Sequence, residues 1–117
     1  ARFRYPFTEL GLTPEIGSSM LLPERIGLLR AKELLMLGDW FSAEDALRLG
    51  LCNRVVDDVE VLPEAMALAG RLAGMNQTSL RLAKALLHRP LLERLEPQLD
   101  AENRTIGEAA ASDETKA

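Results

Sequence analysis

The chain has 117 residues, 47% of them hydrophobic and 27% charged, which is the composition of an ordinary globular protein of one domain or less. Its 14 basic and 18 acidic residues give a formal net charge of -4, so we expect no basic surface that would bind nucleic acid. One cysteine and one histidine exclude an internal disulfide and a metal site built from these two residue types. No apolar run reaches the length of about 18 residues that predicts a membrane span, and we expect a cytoplasmic protein without a membrane partner.

The first seven residues alternate between aromatic and basic side chains. This period of two predicts a half-buried strand with Phe3, Tyr5 and Phe7 on one face and Arg2 and Arg4 on the other. Pro6 limits such a strand to the edge or the end of a sheet. Glycine and proline turn signals follow, at Gly11, Pro14 and Gly17.

Three helices with recognisable ends are predicted over the next forty or so residues. Ser18 or Ser19 is expected to cap a short helix, in which Pro23 would be a break or a restart. Apolar residues at helical spacing predict a second helix over 28–37. A third helix over 43–49 begins with a capping box, in which Ser42 and Asp45 would bond each other's backbone.

The remaining sequence predicts one more strand, over 51–56, and then only helices. Pro63 suits the first turn of a helix, and Pro90 is expected to stop the helix after that one. Pro97 is expected to kink the last helical region or to restart it. Two strands do not make a stable sheet, and both chain ends look interrupted, so we expect this chain to be part of a longer one.

Glu15 is the sharpest candidate for chemistry. It lies where the strand and turns lead into a helix, a position that also suits an ordinary first-turn glutamate stabilised by the helix dipole. If Glu15 is a general base, we expect an apolar wall of residues around it to desolvate its carboxylate and so raise the pKa of that carboxylate towards neutrality. The residues of that wall, and hence of a predicted substrate pocket, are Phe7, Leu10, Leu12 and Met20. The two interpretations do not exclude each other.

The other candidates have simpler explanations. Glu9 could pair with Glu15 as acid and base, but a solvated loop charge is the more common situation between turns. His88 is expected near a helix C-terminus, where a cation is favourable. Lys84 and Arg81 suit a solvated helix face, with a phosphate contact as the minority interpretation.

Several spaced motifs resemble the second half of the crotonase, or enoyl-CoA hydratase/isomerase, superfamily. They are Ala1-x-Phe3-x-x-Pro6, Leu10-Gly11-Leu12-x-Pro14-Glu15-x-Gly17-Ser18-Ser19, Leu22-Pro23, Ala31-x-Glu33-Leu34-Leu35-x-Leu37-Gly38, Ala43-x-x-Ala46 and Gly50-Leu51-x-Asn53-x-Val55-Val56. The likeness is close over residues 1–60 and looser beyond. Within the superfamily it is greatest to the Δ3,Δ2-enoyl-CoA isomerase type, because hydratases carry a catalytic glutamate where this chain has Phe7.

The resemblance implies an α/β fold, a crotonase-like spiral of ββα units. Residues 1–62 would be the C-terminal part of the spiral core, carrying the Glu15 loop, and residues 63–117 a helical trimerisation region. It also implies an acyl-CoA substrate in fatty acid metabolism, a homotrimer or a dimer of trimers, and no cofactor beyond the coenzyme A of the substrate. Lys84 would lie near the nucleotide end of that coenzyme A.

The resemblance implies an isomerase in which Glu15 moves a proton while a double bond shifts from C3 to C2. The backbone oxyanion donors of the family lie in its N-terminal half, so this chain alone is not expected to be active. Hydration, hydrolysis or decarboxylation of acyl-CoA on the same fold is one alternative. A non-catalytic acyl-CoA-binding or scaffold domain and a free-standing helical interaction domain are the others.

Overall fold

The computed structural model describes residues 1–112, and most of them are helical. Two short strands, β1 (Arg2–Phe3) and β2 (Phe41–Ser42), form an antiparallel sheet in which Phe3 is opposite Phe41. The α-helices of the described residues are α1 (Ser18–Ile26), α2 (Leu28–Leu37), α3 (Ala43–Leu49), α4 (Val61–Ala73) and α5 (Gln77–Ala111). Single 3₁₀ turns cover Thr8–Leu10 and Asp58–Glu60.

The chain divides into two compact units. The first contains residues 1–53 together with the chain from Leu95 onwards. Its core consists of Leu22 from α1 with Ala31 and Leu35 from α2, against which Tyr5, Phe7, Ile26, Leu34 and Leu51 pack. The second unit, residues 54–94, includes α4, which has no buried residue; Arg54 bonds Glu64 there at 2.8 Å.

The alternation at the N-terminus is confirmed, although the strand is shorter than expected. Phe3 and Tyr5 contact Phe41 with ring centroids 5.6 and 6.1 Å apart. The guanidinium groups of Arg2 and Arg4 lie over the Trp40 ring instead, 4.8 and 5.3 Å from its centroid. The strand ends at Phe3 because its partner β2 has only two residues before α3 begins.

The helices with complete local signals form where they were predicted. α2 ends at Gly38, whose φ of 69° is left-handed, and a Cβ at that glycine would lie 3.1 Å from the carbonyl oxygen of Tyr5. In α3, the Asp45 N–H bonds the Ser42 hydroxyl and the Ser42 N–H bonds the Asp45 carboxylate, each at 3.0 Å. Pro63 lies in the first turn of α4.

Two expectations from local sequence are wrong. Residues 51–56 are irregular, because no strand of the described chain lies beside them to complete hydrogen bonding. Pro23 and Pro90 lie inside α1 and α5 and end neither helix, and α5 also continues through Pro97 without a restart. The kink expected at Pro97 stays a prediction. Pro23 removes one backbone donor from α1, whereas the burial of the neighbouring Leu22 favours the helix, so tertiary packing outweighs the local penalty there.

The capping box makes the start of α3 sensitive to acid. The Ser42 backbone N–H and hydroxyl, followed by the Arg48 charge, lower the pKa of Asp45 below its usual 3.8. A carboxylate whose pKa is lower in the folded state contributes stability above the unfolded pKa and loses it as the pH falls through the folded pKa. We therefore expect the first-turn amides of α3 to lose protection against hydrogen exchange, relative to the unfolded chain at the same pH, as the pH falls below 3.8.

The variant Asp45→Asn should show this loss of protection already at neutral pH, as followed by amide hydrogen exchange. Glu44→Gln is the matched control, because Glu44 is exposed in the same turn and outside the capping box. Equal exchange in the two variants would contradict the prediction.

Candidate functional site

Glu15 lies on the turn that leads into α1, where its backbone is fixed and its side chain is free. The Glu15 carbonyl oxygen accepts hydrogen bonds from the Ser18 N–H at 3.0 Å and the Ser18 hydroxyl at 2.7 Å. The side chain is exposed, and within residues 1–112 its carboxylate has no hydrogen bond or ion pair. The carboxylate is therefore available to a ligand.

The backbone after Glu15 is strained. Ile16 has a φ of 53°, in the left-handed region, which is disfavoured for a β-branched residue by about 1–2 kcal/mol. Gly17 follows with a φ of 80°, and a Cβ there would lie 3.1 Å from Leu21 and 3.3 Å from Leu95. Such a conformation persists only where surrounding contacts enforce it.

Those contacts come from a buried glutamate on α5. The Gly17 N–H bonds Oε2 of Glu102 at 2.8 Å, and the Ser19 N–H bonds its Oε1 at 3.0 Å. The expected cap by Ser18 or Ser19 is therefore wrong: Gly17 is the N-cap residue, and Glu102 satisfies the free N–H groups. Glu102 could not be predicted as the partner from the sequence around Gly17, because it lies 85 residues away. Its spacing of four from Gln98 puts the two residues on one face of α5, but charged residues occur along the whole helix, so this spacing does not single Glu102 out.

An apolar cavity of about 210 Å³ lies next to this turn. Ile16, inside the Glu15–Gly17 turn, and Ser18, directly after it, contribute to its wall, and Arg25 is the basic residue among those that line it. The full lining is Tyr5, Ile16, Ser18, Leu21, Leu22, Arg25 and Leu51. Burial raises the pKa of the Tyr5 phenol above its usual 10.0. Its lining is mostly apolar, with Tyr5, Ser18 and Arg25 as the polar side chains of the cavity.

The predicted pocket residues do not line this cavity. Phe7 is half-buried against the core, and its ring lies 6.3 Å from that of Tyr5. Leu12 and Met20 are half-buried, and Leu10 is exposed. Because Glu15 itself is exposed, the apolar enclosure expected around its carboxylate is not formed by the described residues.

The other candidates are Glu9, Lys84 and His88. Glu9 forms an ion pair with Arg4, as a loop charge would. Lys84 and His88 are exposed on α5, and His88 lies within this helix rather than at its end. Among residues 1–112 no three His, Cys, Asp or Glu side chains are grouped as metal ligands, and none of the described helices could cross a membrane.

Comparison with known proteins agrees with the motifs. The family described as enoyl-CoA hydratase/isomerase matches residues 1–117. A crotonyl-CoA hydratase of Syntrophomonas wolfei is 34% identical over 116 residues, which are 99% of this chain and 45% of that protein. A 1,2-epoxyphenylacetyl-CoA isomerase of Escherichia coli is 38% identical over 102 residues, 87% of this chain and 39% of that protein.

The fold agrees as well. A crystal structure of an enoyl-CoA hydratase/isomerase from Pseudoalteromonas atlantica superposes with a TM-score of 0.91 at 36% identity, covering 99% of this chain and 47% of that one. The chain thus spans about half the length of the relatives it matches, and the predicted crotonase-like fold class is confirmed. The chain belongs to the enoyl-CoA hydratase/isomerase family, within the crotonase superfamily.

Proposed function

We propose that the protein carrying this chain is an acyl-CoA-processing enzyme that moves a double bond from C3 to C2, with Glu15 as its proton shuttle. The observation that carries the proposal is the Glu15 carboxylate, exposed and unpartnered within residues 1–112 on a turn whose backbone is held by hydrogen bonds. The held backbone restricts the positions that the carboxylate can take, and proton transfer needs a defined orientation of the base.

The reaction needs one base on one face of the substrate. Glu15 would remove a proton from C2, so that the electron pair moves into the thioester and forms an enolate. The enolate then takes the same proton back at C4, the double bond forms between C2 and C3, and Glu15 is again ionised. Two backbone N–H donors would stabilise the enolate oxygen. In this proposal those donors come from the half of the family fold outside this chain.

Hydration of a 2-enoyl-CoA is the competing reaction, because several similar curated proteins carry hydratase names, among them a crotonyl-CoA hydratase and a short-chain-enoyl-CoA hydratase. Two-glutamate hydration needs a second carboxylate, and in this family one of the pair would stand at the position of Phe7. Phe7 packs on the core, and the nearby Glu9 is paired with Arg4. These contacts favour chemistry with a single carboxylate.

Several properties of the whole protein belong to the same proposal. The substrate brings coenzyme A, and no other cofactor is needed for the proton shift. Lys84, exposed on α5, is the proposed contact for the coenzyme A phosphates, and Phe7, Leu10, Leu12 and Met20 remain proposed pocket residues. We propose a homotrimer or a dimer of trimers working in the cytoplasm.

The test is an assay of the full-length protein with a 3-enoyl-CoA and, separately, a 2-enoyl-CoA. We expect the 3-enoyl substrate to gain the absorbance of a conjugated thioester, and the 2-enoyl substrate to keep it. A substrate deuterated at C2 should deliver part of its deuterium to C4, because one carboxylate carries the atom. Faster addition of water to the 2-enoyl substrate would favour the hydratase, and binding without turnover would favour the scaffold domain.

A further inference from the structure

Glu102 is a buried carboxylate that the proposed reaction does not use. It is only 4% exposed, and it comes from α5, far in sequence from the turn that it contacts. Oε2 accepts the Gly17 N–H and Oε1 accepts the Ser19 N–H, at 2.8 and 3.0 Å. Both oxygens therefore receive backbone donors at the positive end of α1.

The hydrogen bonds around Glu102 all run towards its carboxylate, which accepts them. The Gln98 amide nitrogen donates to the Ser19 hydroxyl oxygen at 2.8 Å, and the Ser19 hydroxyl donates to Oε1 of Glu102. Glu102 thus accepts three hydrogen bonds and donates none, the pattern of an ionised carboxylate. A buried charge is costly unless it is bonded in this way, so the contact is specific.

This contact acts on the strained part of the Glu15 turn. Ile16 is left-handed, and the next N–H along the chain, that of Gly17, is the one held by Glu102. On the other side of Ile16, the Glu15 carbonyl is held by Ser18. Glu102 and Ser18 therefore fix the peptide groups on both sides of the strained residue. Without the Glu102 bond, the left-handed backbone of Ile16 would relax more easily towards a favoured conformation. That change would also turn the Glu15 side chain.

We propose that Glu102 is a positioning residue, whose buried carboxylate holds the Glu15–Gly17 turn so that the Glu15 carboxylate keeps one position relative to the substrate. The inference rests on the proposed function of Glu15. Glu102 would touch no substrate atom, and its effect would pass through the backbone of Gly17.

The first test is Glu102→Gln in the full-length protein, with isomerisation of a 3-enoyl-CoA as the assay. The amide can accept only one of the two backbone bonds and turns an N–H₂ towards the other donor. We expect kcat to fall about 10- to 100-fold with little change in KM, since small misplacements of a catalytic group cost this much. The exchange of the Gly17 and Ser19 amide hydrogens should become faster. Glu108→Gln, an exposed change on the same helix, is the control and should alter neither quantity.

A double variant separates positioning from a general loss of structure. If Glu102 acts through Glu15, then adding Glu102→Gln to Glu15→Gln should leave the residual rate unchanged. An equal loss in both backgrounds would overturn the proposal, as would an unchanged kcat in the single variant. If Glu15→Gln retains the wild-type rate, the proposed function fails, whereas the amide exchange still reports whether Glu102 holds the turn.

If Glu102→Gln does not fold, the variant Ser19→Ala tests the positioning role of Glu102 instead. This variant keeps both backbone bonds to Glu102 and removes only the hydroxyl between Gln98 and the carboxylate. We expect a smaller loss of kcat, about 3- to 10-fold, with faster exchange of the same amides. Wild-type kcat together with wild-type exchange would overturn the proposal.

Discussion

Glu15→Gln is expected to lower the kcat for isomerisation by roughly 10²- to 10⁴-fold, the usual contribution of a general acid–base residue. Glutamine keeps the size of the side chain but cannot take a proton from C2. Because Glu15 is exposed and its carboxylate unpartnered within residues 1–112, the substitution removes no structural contact of the described chain. Thermal unfolding should therefore match that of the wild-type protein.

Glu9→Gln is the matched control for this experiment. Glu9 is an exposed carboxylate six residues away, and its loss removes only the surface ion pair with Arg4, which is worth little. We expect its kcat to equal that of the wild-type protein. Glu15→Asp should be nearly as inactive as Glu15→Gln, because the shorter side chain draws the carboxylate back from the substrate. A folded Glu15→Gln protein with wild-type turnover would exclude Glu15 as the base.

Local sequence signals predicted the helices whose stabilising contacts are also local. α2 has its apolar spacing and a terminal glycine, and α3 has both halves of its capping box within four residues. The strand expected over 51–56 failed, because strand propensity needs a neighbouring strand that the sequence does not reveal. The break expected at Pro23 was wrong for the converse reason, since packing of the neighbouring Leu22 stabilises a helix that the local rule would have ended.

At the candidate site, too, the features with local causes could be predicted and those that depend on distant contacts could not. The glycine and proline pattern around Glu15 predicted the turn, but Glu15 is exposed, and the described residues do not form the apolar wall expected around its carboxylate. The sequence did not reveal that Ile16 is left-handed or that Glu102 holds the next residue. Both depend on a contact across more than 80 residues, and nothing near Gly17 indicates which distant side chain will satisfy its N–H.

Leu35→Ala is expected to cost about 2–5 kcal/mol of the free energy of unfolding, the largest stability effect that we predict. Leu35 is 7% exposed on α2 and packs with Leu22 and Ala31 in the core of the first unit. That core is small, so neighbouring side chains have little freedom to fill the space left by the lost methyl groups. Urea unfolding of the full-length wild-type and variant proteins, at the same protein concentration, gives the difference in unfolding free energy. The slope of that free energy against urea concentration is expected to stay unchanged.

Leu29→Ala provides the control, because it removes the same atoms from the same helix at a position that is 83% exposed. Its unfolding free energy should stay within about 0.5 kcal/mol of the wild-type value. The Glu15 turn joins α1 directly, and α1 packs on Leu35 through Leu22, so Leu35→Ala should also lower the temperature at which isomerisation is lost. Equal losses in the two leucine variants would mean that the α2 face carrying Leu29 is buried in the working protein, and that the core around Leu35 is not its main source of stability.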